Sequence, residues 1–140
     1  MRVVLDSDVF ISAVITPGGI PAMVVRSWFE GAYDLVVSDQ LLSELDRALH
    51  YQKLSRHISD EETAELLALF RRSADVADDP SQPSRVRCAD PADEYLIALA
   101  ESVGAVIVSG DGHLLDLADK IPIYSPRASL ELVALDPGQS

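Results

Sequence analysis

Short apolar runs alternate with segments of helical periodicity along most of the chain. Runs rich in Val, Ile and Leu predict five short strands, at 2–6, 34–37, 75–77, 105–108 and 121–124. Helices are predicted at 9–15, 21–30, from Ser38 to Leu49, from Ser59 to Arg72, and at 91–103, 113–119 and 126–132. This alternation is typical of an α/β protein, so the sequence predicts a three-layer α/β/α sandwich with a mostly parallel central sheet.

Two of these helices carry clear signals at their start. Ser38 is placed as an N-cap, and Ser59 with Glu62 forms the pattern of a capping box. In the helix after Ser38 the apolar residues form a single stripe, made of Leu41, Leu42, Leu45, Ala48 and Leu49. Glu44 follows Leu41 by three positions, so we expect its side chain beside the core-facing stripe rather than in open water.

Length and composition fit a single domain. The 140 residues are 48% hydrophobic and 24% charged, which is enough to bury a core. We assign the domain to residues 1–135 and expect a loose tail at 136–140.

No apolar run approaches the roughly 20 residues that span a bilayer, and no signal-peptide pattern opens the chain, so we expect a cytoplasmic protein without membrane contact. The single cysteine, Cys88, excludes an internal disulfide and a cysteine-based zinc site.

The formal net charge of −12 is the wrong sign for a protein that binds nucleic acid through its own surface. It does not exclude an enzyme that meets phosphate groups through a metal ion, because a bound divalent cation inverts the local field. A basic partner or plain solubility would also explain the charge.

Four acidic residues mark the boundaries between predicted elements. Asp6 ends the first strand and Asp111 follows the fourth, while Glu44 and Asp93 lie in the first turns of helices. In an α/β fold the carboxyl ends of strands and the amino ends of helices meet where ligand crevices form. Carboxylates gathered in one crevice repel each other unless a cation joins them. The pattern therefore indicates a divalent-metal site.

Each of these acids also has an ordinary structural interpretation. Asp6 and Asp111 suit a cap and a turn. Asp93 suits the positive end of a helix dipole, and Glu44 suits a solvated helix face. The order of the four along the chain, rather than any one of them, carries the functional interpretation.

The chain resembles the PIN-domain family in four motifs. That family opens on an apolar strand ending in Asp-Thr-Asn or Asp-Ser-Asn, and residues 6–8 read Asp-Ser-Asp. Its second motif, a Glu early in a helix after a strand and a Ser or Thr, resembles Glu44 after Ser38. Its third, an Asp before Leu/Ile-x-x-Ala, is similar to 93–100, and its fourth, Thr/Ser-x-Asp after an apolar strand, is similar to 109–111.

The resemblance spans roughly residues 2–125 and implies an endoribonuclease that uses Mg²⁺ or Mn²⁺. It further implies the toxin of a type II toxin–antitoxin pair, with an RNA substrate, a cognate antitoxin and a homodimer. The implied catalytic and metal-binding residues are Asp6, Glu44, Asp93 and Asp111. Ser109 would support them by hydrogen bonding. Asp8 stands where the family usually has Asn, and it adds a negative charge beside the implied metal.

Two other functions remain open from the sequence. Residues 6–8 also resemble the Asp-x-Asp of HAD-like phosphatases, with 110–112 similar to their later acidic loop. That chemistry needs a Lys between the two motifs, and Lys53 is the one present, without strand context. A PIN fold kept as a catalytically silent binding module is the second alternative, against which the presence of all four acids argues.

Several further side chains have two interpretations. The aromatic pair Trp28 and Phe29 either packs in the core, which is the default, or lines a groove for an antitoxin or a second copy. His113 is expected at the surface, and Asp90 and Asp116 are not expected to bind metal directly. The basic residues nearest the predicted site either guide RNA phosphates or are solvated; they are Arg47, Lys53, Arg56, Arg85 and Arg87.

Overall fold

The computed structural model describes residues 1–51, 56–88 and 90–134. Strands and helices alternate along it as the sequence pattern predicts. In chain order they are β1 (Arg2–Leu5), α1 (Ser7–Ile15), α2 (Ile20–Phe29), β2 (Asp34–Val37), α3 (Asp39–Leu49), α4 (Asp60–Ser73), β3 (Asp75–Val76), α5 (Pro91–Val103), β4 (Val106–Val108), α6 (Gly112–Leu115), β5 (Ile123–Tyr124) and α7 (Pro126–Ala134). The predicted tail at 136–140 and the side chain of Lys53 lie outside the described residues.

The five strands form one sheet in the order β3-β2-β1-β4-β5, and every pairing is parallel. Alternate residues of β1 face opposite sides of the sheet, because side chains of a strand point up and down in turn. Val3 and Leu5 join one apolar cluster and Val4 joins the other. The prediction of a three-layer α/β/α sandwich with a mostly parallel sheet is confirmed.

The first cluster lies between the sheet and helices α1, α2, α3, α4 and α7. Its centre is aromatic: Phe70 has no exposed surface, and its ring meets Phe10 edge-on at a centroid distance of 4.9 Å and Trp28 at 5.5 Å. Helices α5 and α6 cover the other face with Leu96, Ile97, Leu99 and Leu114. Trp28 is therefore a core residue, as the default interpretation predicts, whereas Phe29 is 53% exposed.

The capping predictions are confirmed at both helices. The Ser38 hydroxyl accepts a hydrogen bond from the Leu41 N–H, and Ser59 with Glu62 forms a complete capping box. Helix α5 ends at Gly104, whose φ of +68° lies in the left-handed region that glycine adopts readily.

Some element boundaries differ from the prediction. Helix α1 begins at Ser7 rather than at Val9, because Asp6 has extended backbone angles and occupies the N-cap position directly after β1. Helix α6 ends at Leu115 and turns follow to residue 120, where a helix at 113–119 was expected. β5 begins only at Ile123, since Pro122 has no N–H for the ladder.

Within the described residues no single helix is both long and apolar enough to cross a membrane. Only α1 and α2 taken together reach that length and composition, and they are bent by 106° at the break between them.

Candidate functional site

The parallel sheet brings two of the predicted acids, Asp6 and Asp111, to one edge. The carboxyl ends of β1 and β4 lie side by side, because Leu5 pairs with Val108. Asp6 follows the first of these strands directly, and its N–H bonds to the carbonyl oxygen of Val108 at 2.9 Å. Asp111 comes three residues after β4, as the N-cap of α6. This edge is the usual place for a ligand crevice in such sheets.

Ser109 connects the two strand ends through its side chain. Its hydroxyl donates to Oδ2 of Asp6 at 2.8 Å and accepts from the N–H of Asp111 at 3.0 Å. The residue is completely buried, so both of these bonds are shielded from solvent and hold their geometry. Ser109 therefore fixes the direction of the Asp6 carboxylate; a supporting role for it in metal binding stays a prediction.

Asp8 packs against the same loop. Its Oδ2 accepts from the Gly110 N–H at 3.2 Å, while its Oδ1 is buried and makes no hydrogen bond within the described part of the chain. A Cβ on Gly110 would stand 3.3 Å from Oδ2 of Asp8, so the carboxylate fills the space that the missing side chain leaves. Burial, then the charge of Asp6, raises the pKa of Asp8 to about 6.

Asp93, in the first turn of α5, is close enough to the acids at the sheet edge for their charges to affect its pKa. Burial is the main cause that raises the pKa of Asp93 to about 6, followed by the charges of Asp90, Asp111 and Asp6. Burial also raises the pKa of Asp6. The hydrogen bond from Ser109 lowers this pKa in part, and the charge of Asp111 raises it further. Four carboxylates are thus linked by electrostatic repulsion, in which Asp6 and Asp111 each act on both of the others: Asp6, Asp8, Asp93 and Asp111.

Glu44 lies at the margin of this aspartate group. It is half-buried on α3, as its position beside the apolar stripe predicts. Its charge helps to raise the pKa of Tyr95, after burial and the hydrogen bond to Asp79. It is not among the principal charges acting on the aspartates. Three of the four predicted ligands, Asp6, Asp93 and Asp111, thus act on one another electrostatically, and the charge of Glu44 acts on Tyr95.

The aspartate group fits a hard divalent cation by donor chemistry. Its donors are carboxylate oxygens, one of them buried without a partner, and like charges this close favour a bound cation. In the described residues, however, no three His, Cys, Asp or Glu side chains already converge on one point. One oxygen of Asp6 accepts from the Ser109 hydroxyl, and Oδ1 of Asp111 accepts from the His113 N–H at 2.9 Å.

An open cleft of about 400 Å³ lies beside the group. Asp93 and Asp111 line it, and Arg87 brings a positive charge to the same space. The remaining lining residues are Cys88, Asp90, His113 and Leu117. Burial, then the charge of Asp93, raises the pKa of the Cys88 thiol, which favours its protonated form. His113 is exposed, as expected.

The structure also locates the other acidic and basic residues discussed from the sequence. Asp90 caps α5 by accepting from the Ala92 N–H at 2.9 Å, and Asp116 ends α6 at the surface. Arg85 forms an ion pair with Glu101 at 3.4 Å. Arg47 and Arg56 are exposed.

A hydrogen-bonded triad next to Glu44 was missed by sequence reasoning. The Tyr95 hydroxyl bonds both to Ser38 and to Asp79, and Asp79 also accepts from the Gln40 N–H at 3.3 Å. It ties the segment before α5 to the start of α3. The sequence signal was Tyr95 itself, a hydroxyl-bearing residue directly before the apolar run 96–100 of α5.

Comparison with known proteins gives a consistent result. The family model of the PIN domain matches residues 2–113. An uncharacterized protein of Methanocaldococcus jannaschii is 31% identical over 120 residues, which cover 86% of this chain and 77% of that protein.

Two solved structures share the fold. VapBC2 from Rickettsia felis, bound to a DNA fragment from its promoter, superposes with a TM-score of 0.59 at 13% identity, covering 89% of this chain and 98% of the other. A domain of a functionally unknown protein from Methanocaldococcus jannaschii gives a TM-score of 0.53 at 16% identity and covers 89% of each chain.

Proposed function

Because this chain belongs to the PIN-domain family, whose members are generally nucleases, we propose that it is a divalent-metal-dependent endoribonuclease. The observation that carries the proposal is the aspartate group itself. Asp6, Asp93 and Asp111 come from three separate elements, meet at the carboxyl edge of a parallel sheet and repel one another there. A protein retains such an arrangement at a cost in stability, and a cation with an anionic substrate offsets that cost.

The residues proposed to hold Mg²⁺ or Mn²⁺ are Asp6, Glu44, Asp93 and Asp111. When bound, such an ion supplies an acidified water and offsets the charge on the leaving oxygen of a phosphodiester. The chain contributes orientation: Ser109 holds the Asp6 carboxylate, and Asp8 holds the loop that carries Asp111 through the Gly110 N–H. With pKa values near 6, the carboxyls of Asp8 and Asp93 are largely ionised at neutral pH.

We further propose that the enzyme is the toxin of a toxin–antitoxin pair. The fold likeness to VapBC2 supports this assignment at the level of architecture. An antitoxin and a second copy both need apolar surface, and α1 and α2 expose Ile15, Met23 and Phe29. A cytoplasmic location and a homodimer belong to the same proposal.

The test is cleavage of a mixed RNA panel with Mn²⁺, Mg²⁺ or EDTA. We expect metal-dependent cutting by the wild type and a loss of about 100-fold or more in Asp93→Asn, which keeps the shape of the side chain and removes its charge. Asp34→Asn is the matched control, because Asp34 is exposed at the amino end of β2, at the opposite edge of the sheet.

The outcomes separate the alternatives. Folded, inhibitor-free protein that cuts no RNA in any metal would overturn the proposal and favour the silent binding module. Hydrolysis of a generic aryl phosphate, without RNA cleavage, would instead support the HAD-like phosphatase, which the family match does not favour.

A further inference from the structure

RNA must approach an acidic cleft on an acidic protein. The net charge is −12, and the cleft is lined by Asp90, Asp93 and Asp111. A divalent ion would neutralise part of this charge, but the phosphates flanking the cleavage point also need positive partners. The cleft must therefore supply a fixed cation of its own if it binds a polyanion.

Arg87 is that cation. Of the described residues that line the cleft, it is the one arginine or lysine. It comes three residues before the Asp90 cap of α5 and lines the cleft together with Asp93. The planar fork of donors on a guanidinium matches the oxygens of a phosphate.

The backbone next to Arg87 is held by a hydrogen bond, while the Arg87 side chain is mostly exposed. The neighbouring Cys88 N–H donates to Oε1 of Glu94 at 2.9 Å, which pins this segment to the first turn of α5. The guanidinium of Arg87 lies 3.9 Å from Oε2 of the same Glu94, a loose contact, and its side chain is 78% exposed. An exposed pair at this distance contributes little, so a phosphate can take over the guanidinium without disturbing the backbone.

Three other arginines in the described chain contact partners outside this cleft. Arg85, only two residues away, bonds to Glu101 through both its backbone N–H and its side chain, and it lines a different groove. Arg71 pairs with Asp39 at 2.7 Å, and Arg2 donates to the carbonyl oxygen of Val103.

We propose that Arg87 binds a backbone phosphate of the RNA next to the scissile bond. The inference rests on the proposed function, since it assumes that RNA occupies the cleft beside Asp93 and Asp111. On this proposal Arg87 supplies the positive charge that an RNA phosphate needs in a cleft otherwise lined by Asp90, Asp93 and Asp111.

The test compares Arg87→Ala and Arg87→Lys with Arg85→Ala, the matched control. For a fluorescent RNA that the wild type cleaves, we expect Arg87→Ala to raise KM about tenfold with kcat changed far less. Binding of the same RNA in EDTA, followed by anisotropy, should lose about one unit from the slope of log Kd against log salt concentration. Arg87→Lys should recover part of the loss, and Arg85→Ala should remain within about twofold of the wild type.

The two proposals fail in different ways. An RNA cleaved with unchanged KM and salt slope in Arg87→Ala overturns the role of Arg87 and leaves the nuclease intact. Equal losses in Arg85→Ala and Arg87→Ala also overturn it, because they indicate nonspecific attraction. A wild type that binds RNA without cutting it overturns the nuclease, while the anisotropy series still decides the role of Arg87. A wild type that neither binds nor cuts RNA overturns both.

Discussion

The hydroxyl of Ser109 donates a 2.8 Å hydrogen bond to the carboxylate of Asp6, 103 residues earlier in the chain. Asp6 follows the central strand β1, and Ser109 follows its neighbour β4. A bond between these side chains is possible only because the strands are parallel and adjacent, so that both end at the same edge of the sheet. The orientation of a predicted metal ligand is thus set by a residue from the far end of the sequence.

Removing this hydroxyl should weaken both stability and metal binding. Ser109→Ala leaves the buried Asp111 N–H and one Asp6 oxygen without their partner, so we expect a loss of about 1–3 kcal/mol in the free energy of unfolding. Affinity for Mn²⁺ should fall about 10- to 100-fold, as is usual when a partner of a metal ligand is lost. Urea unfolding and calorimetric titration measure the two effects.

Ser102→Ala is the control, because that hydroxyl bonds only to the carbonyl oxygen of Leu99 at 2.8 Å, within α5. Unchanged Mn²⁺ affinity in Ser109→Ala, alongside lowered stability, would limit Ser109 to holding β1 and β4 together.

Asp8 should make the metal-free protein less stable as pH rises. Its pKa is raised from 3.8 to about 6, so between these values the folded state binds more protons than the unfolded state. Ionisation through that window therefore lowers the free energy of unfolding. Asp8→Asn removes the titrating charge, and we expect it to be more stable than the wild type by about 1 kcal/mol at pH 7, after allowance for solvent screening.

Urea unfolding in EDTA at pH 4 and pH 7 measures this difference, which should nearly vanish at the lower pH. Asp34→Asn controls for the change in net charge. A difference of equal size at both pH values would mean that Asn packs better for reasons unrelated to ionisation.

The bond between Tyr95 and Asp79 should hold the segment before α5 in place. Tyr95→Phe removes the hydroxyl that joins Asp79 and Ser38, and we expect it to cost about 1–2 kcal/mol. A double-mutant cycle with Asp79→Asn should give a coupling energy of about 1 kcal/mol, because the two side chains are in direct contact. Tyr124→Phe, on the edge strand β5, is the matched control. Additive losses in the cycle would contradict the proposed link.

The aromatic centre of the first cluster should dominate stability. Phe70 is fully buried between Phe10 and Trp28, so Phe70→Ala should cost about 3–5 kcal/mol. Phe29→Ala removes an aromatic ring that is 53% exposed and should cost far less. Chemical unfolding followed by the fluorescence of Trp28 measures both. Equal losses would mean that the exposed ring is as important to the core as the buried one.

The sequence was sufficient to predict what local patterns determine. Apolar runs located all five strands, and the caps at Ser38 and Ser59 were confirmed, because each is a relation between residues a few positions apart. The start of α1 was predicted two residues late, since Asp6 was assigned to the strand although it caps the helix. Asp6 both follows β1 and occupies the N-cap position of α1, and the periodicity of apolar residues does not show where one element ends and the next begins.

The sequence did not predict the positions of side chains in the irregular segments between helices and strands. Arg85 and Arg87 are equivalent by pattern, yet one lines a groove beside α5 and the other lines the acidic cleft. Asp79 and Tyr95 are 16 residues apart, with a nonperiodic loop between them. The path of such a loop is fixed by its hydrogen bonds to other elements, and those partners are known only once the fold is known.

The position of β1 in the middle of the sheet also determines when, during synthesis of the chain, the acidic site can assemble. A nascent chain that has not yet produced β4 has Asp6 beside an unpaired strand edge and lacks Ser109 and Asp111 altogether. The chain must therefore leave the ribosome as far as Asp111 before these carboxylates can meet. For an enzyme proposed to cut RNA, the proposed metal ligands are thus not assembled while the segment before β4 is being synthesised.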